Sequence, residues 1–331
     1  MRAGLERYAN RLWYQTETPA WPWRVLSRIY RRALGQKWHR PAAKPSVPVI
    51  VVGNLAVGGC GKTPTVIALA RYLTAQGLSV AIISRGYGGE QSAMDSPRKV
   101  DAGADVRQLG DEPVLMHRET GLPVWVCRDR ALACQSAVAE GAEVVIADDG
   151  LQHQALARSF EIVLIDGDRG LGNGRLLPAG PLRQPVQRLQ EVDAILYRGQ
   201  QALGRNCYPG SVFRVVPKAL RRLSNGEQVE PESLSGRQVS AVCGIANPSQ
   251  FARSLNELGM KADLHAFPDH HPFSIKDLRP IRQPIVMTAK DAVKIIDTDS
   301  LDSEIFVLEV TAVMPPELLE TVRAHVQQFG R

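Results

Sequence analysis

Short apolar runs alternate with segments of helical spacing along most of the chain after residue 46. β-Branched runs of this length, bounded by glycine, proline or acidic residues, are typical of buried strands in a parallel sheet. The runs predicted to be strands of a first sheet are 47–52, 80–84, 123–127, 144–147, 161–165 and 194–197, the last of them closing the sheet. A helix is predicted after the first strand, through about residue 73. The pattern indicates an α/β fold on a mostly parallel sheet.

A second, smaller α/β unit is predicted after a change of composition in residues 204–223, which are polar and basic around a short apolar run at 212–216. Asn247 followed by Pro248 is a typical helix start, and Gly259 is a typical stop. Further strands are predicted at 238–243, 285–287 and 305–310, with a final helix from about residue 316.

The first 45 residues form a distinct N-terminal arm with four of the five tryptophans, Trp13, Trp21, Trp23 and Trp38. Its apolar residues recur at helical spacing, with arginines mostly on the other side. Such a helix is typical of a bilayer interface, where rings lie among headgroups and guanidinium groups meet anionic lipid. The apolar positions are Val25, Leu26, Ile29, Tyr30, Ala33 and Leu34, and the arginines are Arg24, Arg28, Arg31 and Arg32. The alternative is a helix packed on its own domain with solvated arginines.

The charge distribution supports this division. The chain of 331 residues carries a net charge of +6, but residues 1–45 hold ten Lys or Arg and two Glu, a net of +8. The remaining residues hold 30 basic and 32 acidic side chains, a net of −2. The charge therefore favours a membrane surface over nucleic acid as the partner. We expect three parts: the arm at 1–45, an α/β domain with a phosphate loop at 46–210, and a smaller α/β domain at 211–331 that closes over the site.

Composition excludes several other classes. With 44% hydrophobic and 22% charged residues, the chain has enough apolar side chains for an ordinary core, so it is not a disordered protein. The five cysteines show no C-x-x-C spacing, which argues against a disulfide framework or a thiolate zinc site. No apolar run approaches the ~20 residues that span a bilayer.

A phosphate-binding loop is the strongest local motif. It lies between a predicted strand and a predicted helix, the context that a Walker A loop requires. Its glycines turn backbone amides towards phosphate oxygens, Lys62 is expected to reach the β- and γ-phosphates, and the Thr63 hydroxyl to ligate magnesium. The loop residues are Ala56, Val57, Gly58, Gly59, Cys60, Gly61, Lys62 and Thr63. Val57 stands where partition-type ATPases of this loop class usually carry a second lysine, which weakens an assignment of the chain to those ATPases.

Two carboxylates, Asp148 and Asp149, follow the strand at 144–147 and precede Gly150. Carboxylates at the carboxyl end of a core strand beside a phosphate loop are placed to hold magnesium or its waters. An ordinary Asp-Gly turn is the alternative. With the loop upstream, the metal role is favoured.

Asp111, in Gly-Asp-Glu-Pro, and the pair His270 and His271 are ambiguous by themselves. On local sequence alone, Asp111 is a helix cap. The histidines are surface residues of a loop, and no acidic or histidine partner at helical spacing supports metal ligation.

Taken together, the motifs resemble those of the tetraacyldisaccharide 4′-kinases, the lipid A 4′-kinases of Gram-negative bacteria. The phosphate loop alone is unspecific, but the combination in this order is highly specific and spans almost the whole chain. The matching segments are VPVIVVGNLAVGGCGKTP (47–64), SRGYGG (84–89), GDEP (110–113), RDR (128–130), DDGLQH (148–153), GNGRLLPAGPLR (172–183), CGIANP (243–248), FPDHH (267–271) and TAKDAVK (288–294).

The resemblance implies a monotopic kinase at the cytoplasmic face of the bacterial inner membrane. Such an enzyme uses ATP and Mg²⁺ to phosphorylate the 4′-hydroxyl of a tetraacylated glucosamine disaccharide 1-phosphate, a late step of lipid A biosynthesis. It implies that Asp111 accepts the hydroxyl proton with His270 as its partner, His271 being the less favoured candidate. It also implies anionic lipid as the contact of the arm. No nucleic acid and no obligate protein partner is expected.

The sequence departs from the family pattern at three positions. Gln184 stands where a glutamate usually follows PLR, which puts a metal role of this position in doubt. Ala289 replaces the acid of the usual TEKD, and Cys127 replaces a glycine before RDR. In addition, Cys60 lies within the phosphate loop, so modification of its thiol is expected to block ATP.

Two other functions remain open at this point. A membrane-attached P-loop switch would control a partner protein through its nucleotide state, and it needs a positioned water rather than a base such as Asp111. A metallochaperone-type GTPase would carry clustered Cys and His ligands and a guanine-reading N-K-x-D motif, and neither is evident.

Overall fold

The computed structural model describes residues 2–35, 39, 44–201, 208–295 and 304–329. For residues 2–7 it describes the backbone alone. Trp38 of the arm and Cys207 lie outside the described residues. The α-helices are α1 (Arg2–Tyr14), α2 (Trp21–Leu34), α3 (Lys62–Ala75), α4 (Val106–Leu109), α5 (Asp111–Thr120), α6 (Arg130–Ala139), α7 (Pro248–Glu257), α8 (Ile275–Leu278), α9 (Ala289–Ala292) and α10 (Pro316–Gln328).

The strands are β1 (Val49–Gly53), β2 (Val80–Ser84), β3 (Arg98–Lys99), β4 (Val124–Val126), β5 (Val144–Asp148), β6 (Phe160–Asp166), β7 (Ala194–Arg198), β8 (Ser211–Arg222), β9 (Gln228–Val229), β10 (Gln238–Cys243), β11 (Lys261–Ala266), β12 (Ile285–Thr288) and β13 (Ile305–Val313). They follow one another across the sheet in the order β11-β10-β12-β13-β8-β7-β6-β1-β5-β2-β4-β3, with β9 beside β8. The predicted mostly parallel α/β sheet is confirmed.

The N-terminal half of the sheet, from β7 to β4, is parallel, and β3 is antiparallel at its edge. Strands β1, β2 and β5 are buried along their whole length, because helices cover both faces. On one face α3 buries Val66, Leu69, Ala70 and Leu73, and on the other α6 buries Ala133 and Ala137. Apolar burial of this kind holds β1 and β5 side by side, so their carboxyl ends meet at one edge.

The expectation that 194–197 closes the first sheet is wrong, because β7 pairs in parallel with β8. The first three residues of β8 pair with the end of β7, and from Arg214 onwards β8 pairs antiparallel with β13. The strand is far longer than the predicted 212–216. Its later residues include Pro217, Lys218 and arginines and are mostly half-exposed, so they lack the apolar signal of a strand.

The register of β8 sets how the two halves face each other. Since β8 starts beside the carboxyl end of β7 and continues past it, the antiparallel β13 returns with its own carboxyl end at the junction. Strands β10, β11 and β12 are parallel to β13. The carboxyl ends of the strands in both halves therefore point towards a common space, where ligand sites of α/β sheets lie.

In the C-terminal half, α7 runs from Pro248 to Glu257, with Asn247 before it and Gly259, at φ +82°, after it. The predicted start and stop are confirmed, although the Asn247 side chain makes no capping hydrogen bond. Proline at the first position is sufficient to start the helix, because its fixed φ suits a helix and its missing N–H is not needed there.

The arm folds as two helices that dock on the segment 172–183. Leu12 is buried, the Trp13 indole donates to the carbonyl of Pro178 (3.0 Å), and the Asn173 amide donates to the carbonyl of Leu12 (3.2 Å). Ser27 of α2 donates to the carbonyl of Leu176 (2.8 Å). One side of α2 thus contacts the protein, as the packed-helix alternative requires.

The other side of α2 faces outwards and carries apolar and basic residues. The large apolar side chains exposed there are Trp21, Val25, Leu26 and Ile29, and the arginines Arg24, Arg28, Arg31 and Arg32 are exposed as well. Within the described part of the chain, no helix is long and apolar enough to cross a membrane.

Candidate active site

The phosphate loop connects β1 to the start of α3. Gly58 and Gly61 have φ of +124° and +91°, values that favour glycine, so the backbone can turn its amides inwards only with these residues. The loop is held from outside by the Asn54 amide, which donates to the carbonyl of Gly58 (3.1 Å), and by Val57 N–H, which donates to the carbonyl of Pro181 (2.9 Å). The free amides of the α3 N-terminus complete a site for phosphate.

Lys62 is the first residue of α3, and its ammonium group lies 3.3 Å from Asn54 Oδ1 and 3.8 Å from Asp149 Oδ1. Burial lowers its pKa, but Asp149, Cys60 and Glu112 together outweigh burial and the charge of Arg183, so the pKa is raised overall. Lys62 is therefore a permanent cation beside the loop.

Asp148 and Asp149 both lie at the carboxyl end of β5, but their surroundings differ. Asp149 has a positive φ of +49°, and both its oxygens accept from the Arg183 guanidinium at 3.0 Å. Although burial raises its pKa, Lys62 and Arg183 bring it down to about 2. Asp149 is a fully paired carboxylate.

Asp148 is 2% exposed, and its Oδ1 has no hydrogen-bond partner among the described residues. Burial, helped by the charge of Glu112, raises its pKa to about 7. A buried carboxyl group with an unpaired oxygen is stable as an anion only beside an additional cation. Asp148 therefore has the free capacity that Asp149 lacks.

Asp111 and His270 are in direct contact. His270 Nδ1 lies 2.9 Å from Asp111 Oδ2, a contact between residues 159 apart in sequence. Asp111 is the first residue of α5 and makes no capping hydrogen bond, so the helix-cap interpretation is wrong. His270 was expected to be a surface residue of a loop, but its ring contacts Asp111 and lies near Tyr87, with 5.2 Å between the ring centroids.

The Asp111 carboxyl is ionised in this setting. Burial raises its pKa, but the hydrogen bond from His270 and the charges of Lys290, His270 and Lys294 outweigh burial and lower it. Its second oxygen, Oδ1, is buried and has no hydrogen-bond partner among the described residues. The group can accept a proton at that oxygen.

His271 lies apart from this pair. Its ring packs between Phe267 and Phe273, each 4.8 Å away, and its Nε2 is 3.5 Å from Asp277.

Close backbone packing fixes the position of Asp111. A Cβ added to Gly86 would lie 2.6 Å from the carbonyl oxygen of Leu109, and one added to Gly89 would lie 2.5 Å from the amide of Gly110. The SRGYGG segment therefore has to carry glycines to lie against the start of α5.

The cavity at the site, of about 1590 Å³, brings most of the predicted residues together. Asp111 does not line this cavity, although its partner His270 does. The cavity is lined by the loop from Val57 to Thr63, by Asp148 and Asp149, by His270, and by Trp13 of the arm. Among the predicted loop residues, Ala56 lies outside this lining, where it forms a bridge with Leu182.

Several residues of the site were not singled out from sequence. Arg183, Lys290 and Lys294 lie within quoted motifs, but a lone basic residue carries no local signal of a partner far along the chain. Gln184, where the family usually has glutamate, is buried, accepts from the Gln152 amide (3.4 Å) and donates to the carbonyl of Leu151 (3.5 Å). Gln184 here braces the segment that follows Asp149.

Sheet, phosphate loop and cavity together define a P-loop kinase fold. The family model described as LpxK, tetraacyldisaccharide-1-P 4′-kinase, matches residues 19–327, and the chain belongs to this family.

Relatives named tetraacyldisaccharide 4′-kinase support this. One from Pseudomonas aeruginosa is 44% identical over 293 residues, covering 85% of this chain and 86% of its own. One from Alcanivorax borkumensis is 42% identical over 324 residues, 96% of each chain. The crystal structure of LpxK from Aquifex aeolicus in complex with ATP is similar, with a TM-score of 0.71 and 29% identity over 91% of this chain and 97% of that one.

Proposed function

We propose that this protein transfers the γ-phosphate of ATP to the 4′-hydroxyl of a tetraacylated glucosamine disaccharide 1-phosphate. Its family and its relatives support the reaction, and the similar structure was determined with ATP. The observation that carries the proposal is the contact of Asp111 with His270, together with the cavity that His270 and the phosphate loop both line. A water-activating switch needs no such pair.

In the proposed reaction, the loop amides, the α3 N-terminus and Lys62 hold the phosphates of ATP. The sugar oxygen forms a bond to the γ-phosphorus as the bond from that phosphorus to the β–γ bridging oxygen breaks. The hydroxyl proton passes to Asp111 Oδ1, and ADP leaves. His270 stays on Oδ2 and stabilises the carboxylate before the transfer.

Magnesium fits the acidic end of β5. The unpaired Oδ1 of buried Asp148 supplies an anionic ligand position, and the Thr63 hydroxyl at the start of α3 supplies a second. Asp149 is the weaker candidate, because Arg183 occupies both of its oxygens. When bound, Mg²⁺ neutralises charge on the β- and γ-phosphates.

The arm is the proposed membrane contact. Trp21, Leu26 and Ile29 expose an apolar surface of α2 next to its arginines, and the same arm contributes Trp13 to the cavity. This suits an enzyme that lies on anionic lipid and takes its substrate from there. We place it at the cytoplasmic face of the bacterial inner membrane as a peripheral protein, divided at 1–45, 46–210 and 211–331.

The test is incubation of the purified protein with γ-labelled ATP and the disaccharide 1-phosphate lipid in detergent. The expected result is a labelled lipid that depends on Mg²⁺. Steady ATP hydrolysis with no labelled lipid would contradict the proposal and favour a nucleotide switch.

A further inference from the structure

Lys294 lies in the turn after α9, and its side chain is only 6% exposed. Its ammonium group is 2.8 Å from Asp291 Oδ1, 3.3 Å from Asp111 Oδ2 and 5.7 Å from the centre of the Phe273 ring. A lysine is this deeply buried almost only when it is paired. Lys294 thus joins the C-terminal half of the sheet to the carboxylate proposed as the base.

Asp291 fixes the position of Lys294. It is fully buried, and its Oδ2 accepts from the Gly244 amide (2.9 Å) and from the Thr288 hydroxyl (2.6 Å). The carbonyl of the same Gly244 accepts from the backbone N–H of His270 (3.2 Å). The ends of β10 and β12 therefore present Lys294 and His270 to Asp111 from one rigid support.

Both donors approach the same oxygen of Asp111. His270 and Lys294 lie at Oδ2, whereas Oδ1 is buried and has no hydrogen-bond partner among the described residues. Two charged or polar donors at one oxygen fix the rotation of the carboxylate about its Cβ–Cγ bond. The other oxygen then has a defined direction, which is what a general base requires.

We propose that Lys294 is a positioning residue for phosphoryl transfer, holding Asp111 Oδ2 so that Oδ1 faces the acceptor hydroxyl. The proposal rests on the proposed function. The proposed role of Lys294 differs from that of Lys290 on α9. The ammonium group of Lys290 pairs with Glu112 (3.0 Å) and lies 4.0 Å from Asp269. Among the described residues, Lys294 forms ion pairs with Asp111 and Asp291, and neither of them belongs to the phosphate loop.

The first experiment measures kcat and the KM for ATP of Lys294→Met, with Lys276→Met as the matched control, since Lys276 is an exposed lysine of α8. We expect Lys294→Met to lower kcat roughly 10- to 100-fold while the KM for ATP changes less than about threefold. Lys276→Met should match the wild type. A kcat of Lys294→Met within about twofold of wild type overturns the proposal.

A second experiment separates positioning from general damage. In an Asp111→Asn background, where the base is absent, Lys294→Met should lower the residual rate by less than about twofold, because the two changes remove one interaction. An equal loss in both backgrounds would show that Lys294 acts independently of Asp111, and the proposal would be wrong.

A third measurement is the pH profile. Asp111 is faced by Lys290 of α9, by Lys294 in the turn after α9, by His270 and Asp269 from the loop before α8, and by Glu112 beside it on α5. Asp291 lies behind Lys294. Removing the cation at Oδ2 should move the acidic limb of kcat upwards by about one pH unit. An unmoved limb contradicts the proposal.

Loss of Lys294 leaves Asp291 buried without its cation, so Lys294→Met is compared with Lys294→Met/Asp291→Asn, in which both charges are removed. The double variant should regain thermal stability but keep the low kcat. A restored kcat would show that Lys294 serves only the fold. If the wild type itself labels no lipid, the proposed function fails; if it does and Lys294→Met labels equally well, only this inference fails.

Discussion

The nucleotide end and the acceptor end of the cavity are built in opposite ways. The nucleotide end consists of one continuous loop, Val57 to Thr63, and of the two aspartates on the neighbouring strand β5. The acceptor end joins Asp111 to His270, which is 159 residues away, and to Lys294. In the proposed reaction the first binds with backbone amides, and the second acts through side chains that converge from both halves of the sheet.

The difference shows what each end depends on. A backbone site forms wherever a strand, a glycine turn and a helix follow one another, so it needs only local sequence. A side-chain site forms only when the two halves of the sheet are held face to face. Changes at the nucleotide end should therefore abolish binding, and changes at the acceptor end should impair transfer while ATP still binds.

Lys62→Ala is expected to have the largest effect. Loss of the cation beside the phosphates should abolish lipid labelling and weaken ATP binding together, because the same group serves both. The check is lipid labelling alongside an ATP titration. Tight ATP binding by this variant would remove the proposed distinction between the two ends.

Asp111→Asn should separate the two ends most clearly. We expect kcat to fall roughly 10²- to 10⁴-fold, the usual contribution of a general base, with ATP affinity little changed. The matched control is Asp263→Asn, since Asp263 lies 3.5 Å from His265 but is exposed on β11. A near-normal rate for Asp111→Asn would exclude it as the base.

The arm lies outside both ends, and Ile29→Glu tests its separate role. A charge on the exposed face of α2 should lower binding to anionic vesicles by roughly tenfold or more, while labelling of a detergent-dispersed substrate persists. Val313→Glu, at an equally exposed apolar residue of β13, serves as the control. Unchanged sedimentation with vesicles would refute the interfacial assignment.

The acceptor end should also contribute to stability in a pH-dependent way. The pKa of Asp111 is lowered in the folded protein, so its pairing stabilises the fold above the ordinary pKa of about 3.9, and this is lost as pH falls through the folded value. Asp111→Asn should therefore melt below wild type at pH 7, with the difference shrinking only as the pH falls below about 4. A constant difference, measured by thermal unfolding, would be inconsistent with this linkage.

The smallest effect is expected at Cys60. The thiol is 4% exposed, and burial raises its pKa, so little reactive thiolate is present at neutral pH. Brief treatment with iodoacetamide at pH 7 should leave ATP binding the same in wild type and in Cys60→Ser. The sequence alone led us to expect that modification of this thiol blocks ATP, but its burial makes such modification slow. Rapid loss of binding in the wild type only would restore that expectation.

The sequence predicted much of the fold because its signals are local. Strand 80–84 was predicted with the bounds that β2 has, and Asn247, Pro248 and Gly259 marked the limits of α7. The length of β8 was not predictable in the same way, because most of its later residues are half-exposed and several of them carry polar side chains. Its pairing with both β7 and β13 depends on tertiary structure.

In the site, too, local features were predictable and features that depend on tertiary structure were not. The phosphate loop was recognisable from its own residues, whereas Asp111 and His270 were assigned only through the family resemblance. Their local sequence favoured a cap and a surface loop. The unequal roles of Asp148 and Asp149 had no signal at all, because they depend on Arg183, which reaches Asp149 from a distant segment.

The point where β8 changes partner has a mechanical consequence. Phe213 is the last residue paired with β7, and Arg214 is the first paired with β13. A Cβ added to Gly61 would lie 3.2 Å from Val215 Cγ2 and 3.6 Å from the Phe213 ring, so this junction packs against the phosphate loop itself. A rotation of the C-terminal half about this junction would therefore change the packing on the phosphate loop and the approach of His270 and Lys294 to Asp111 together.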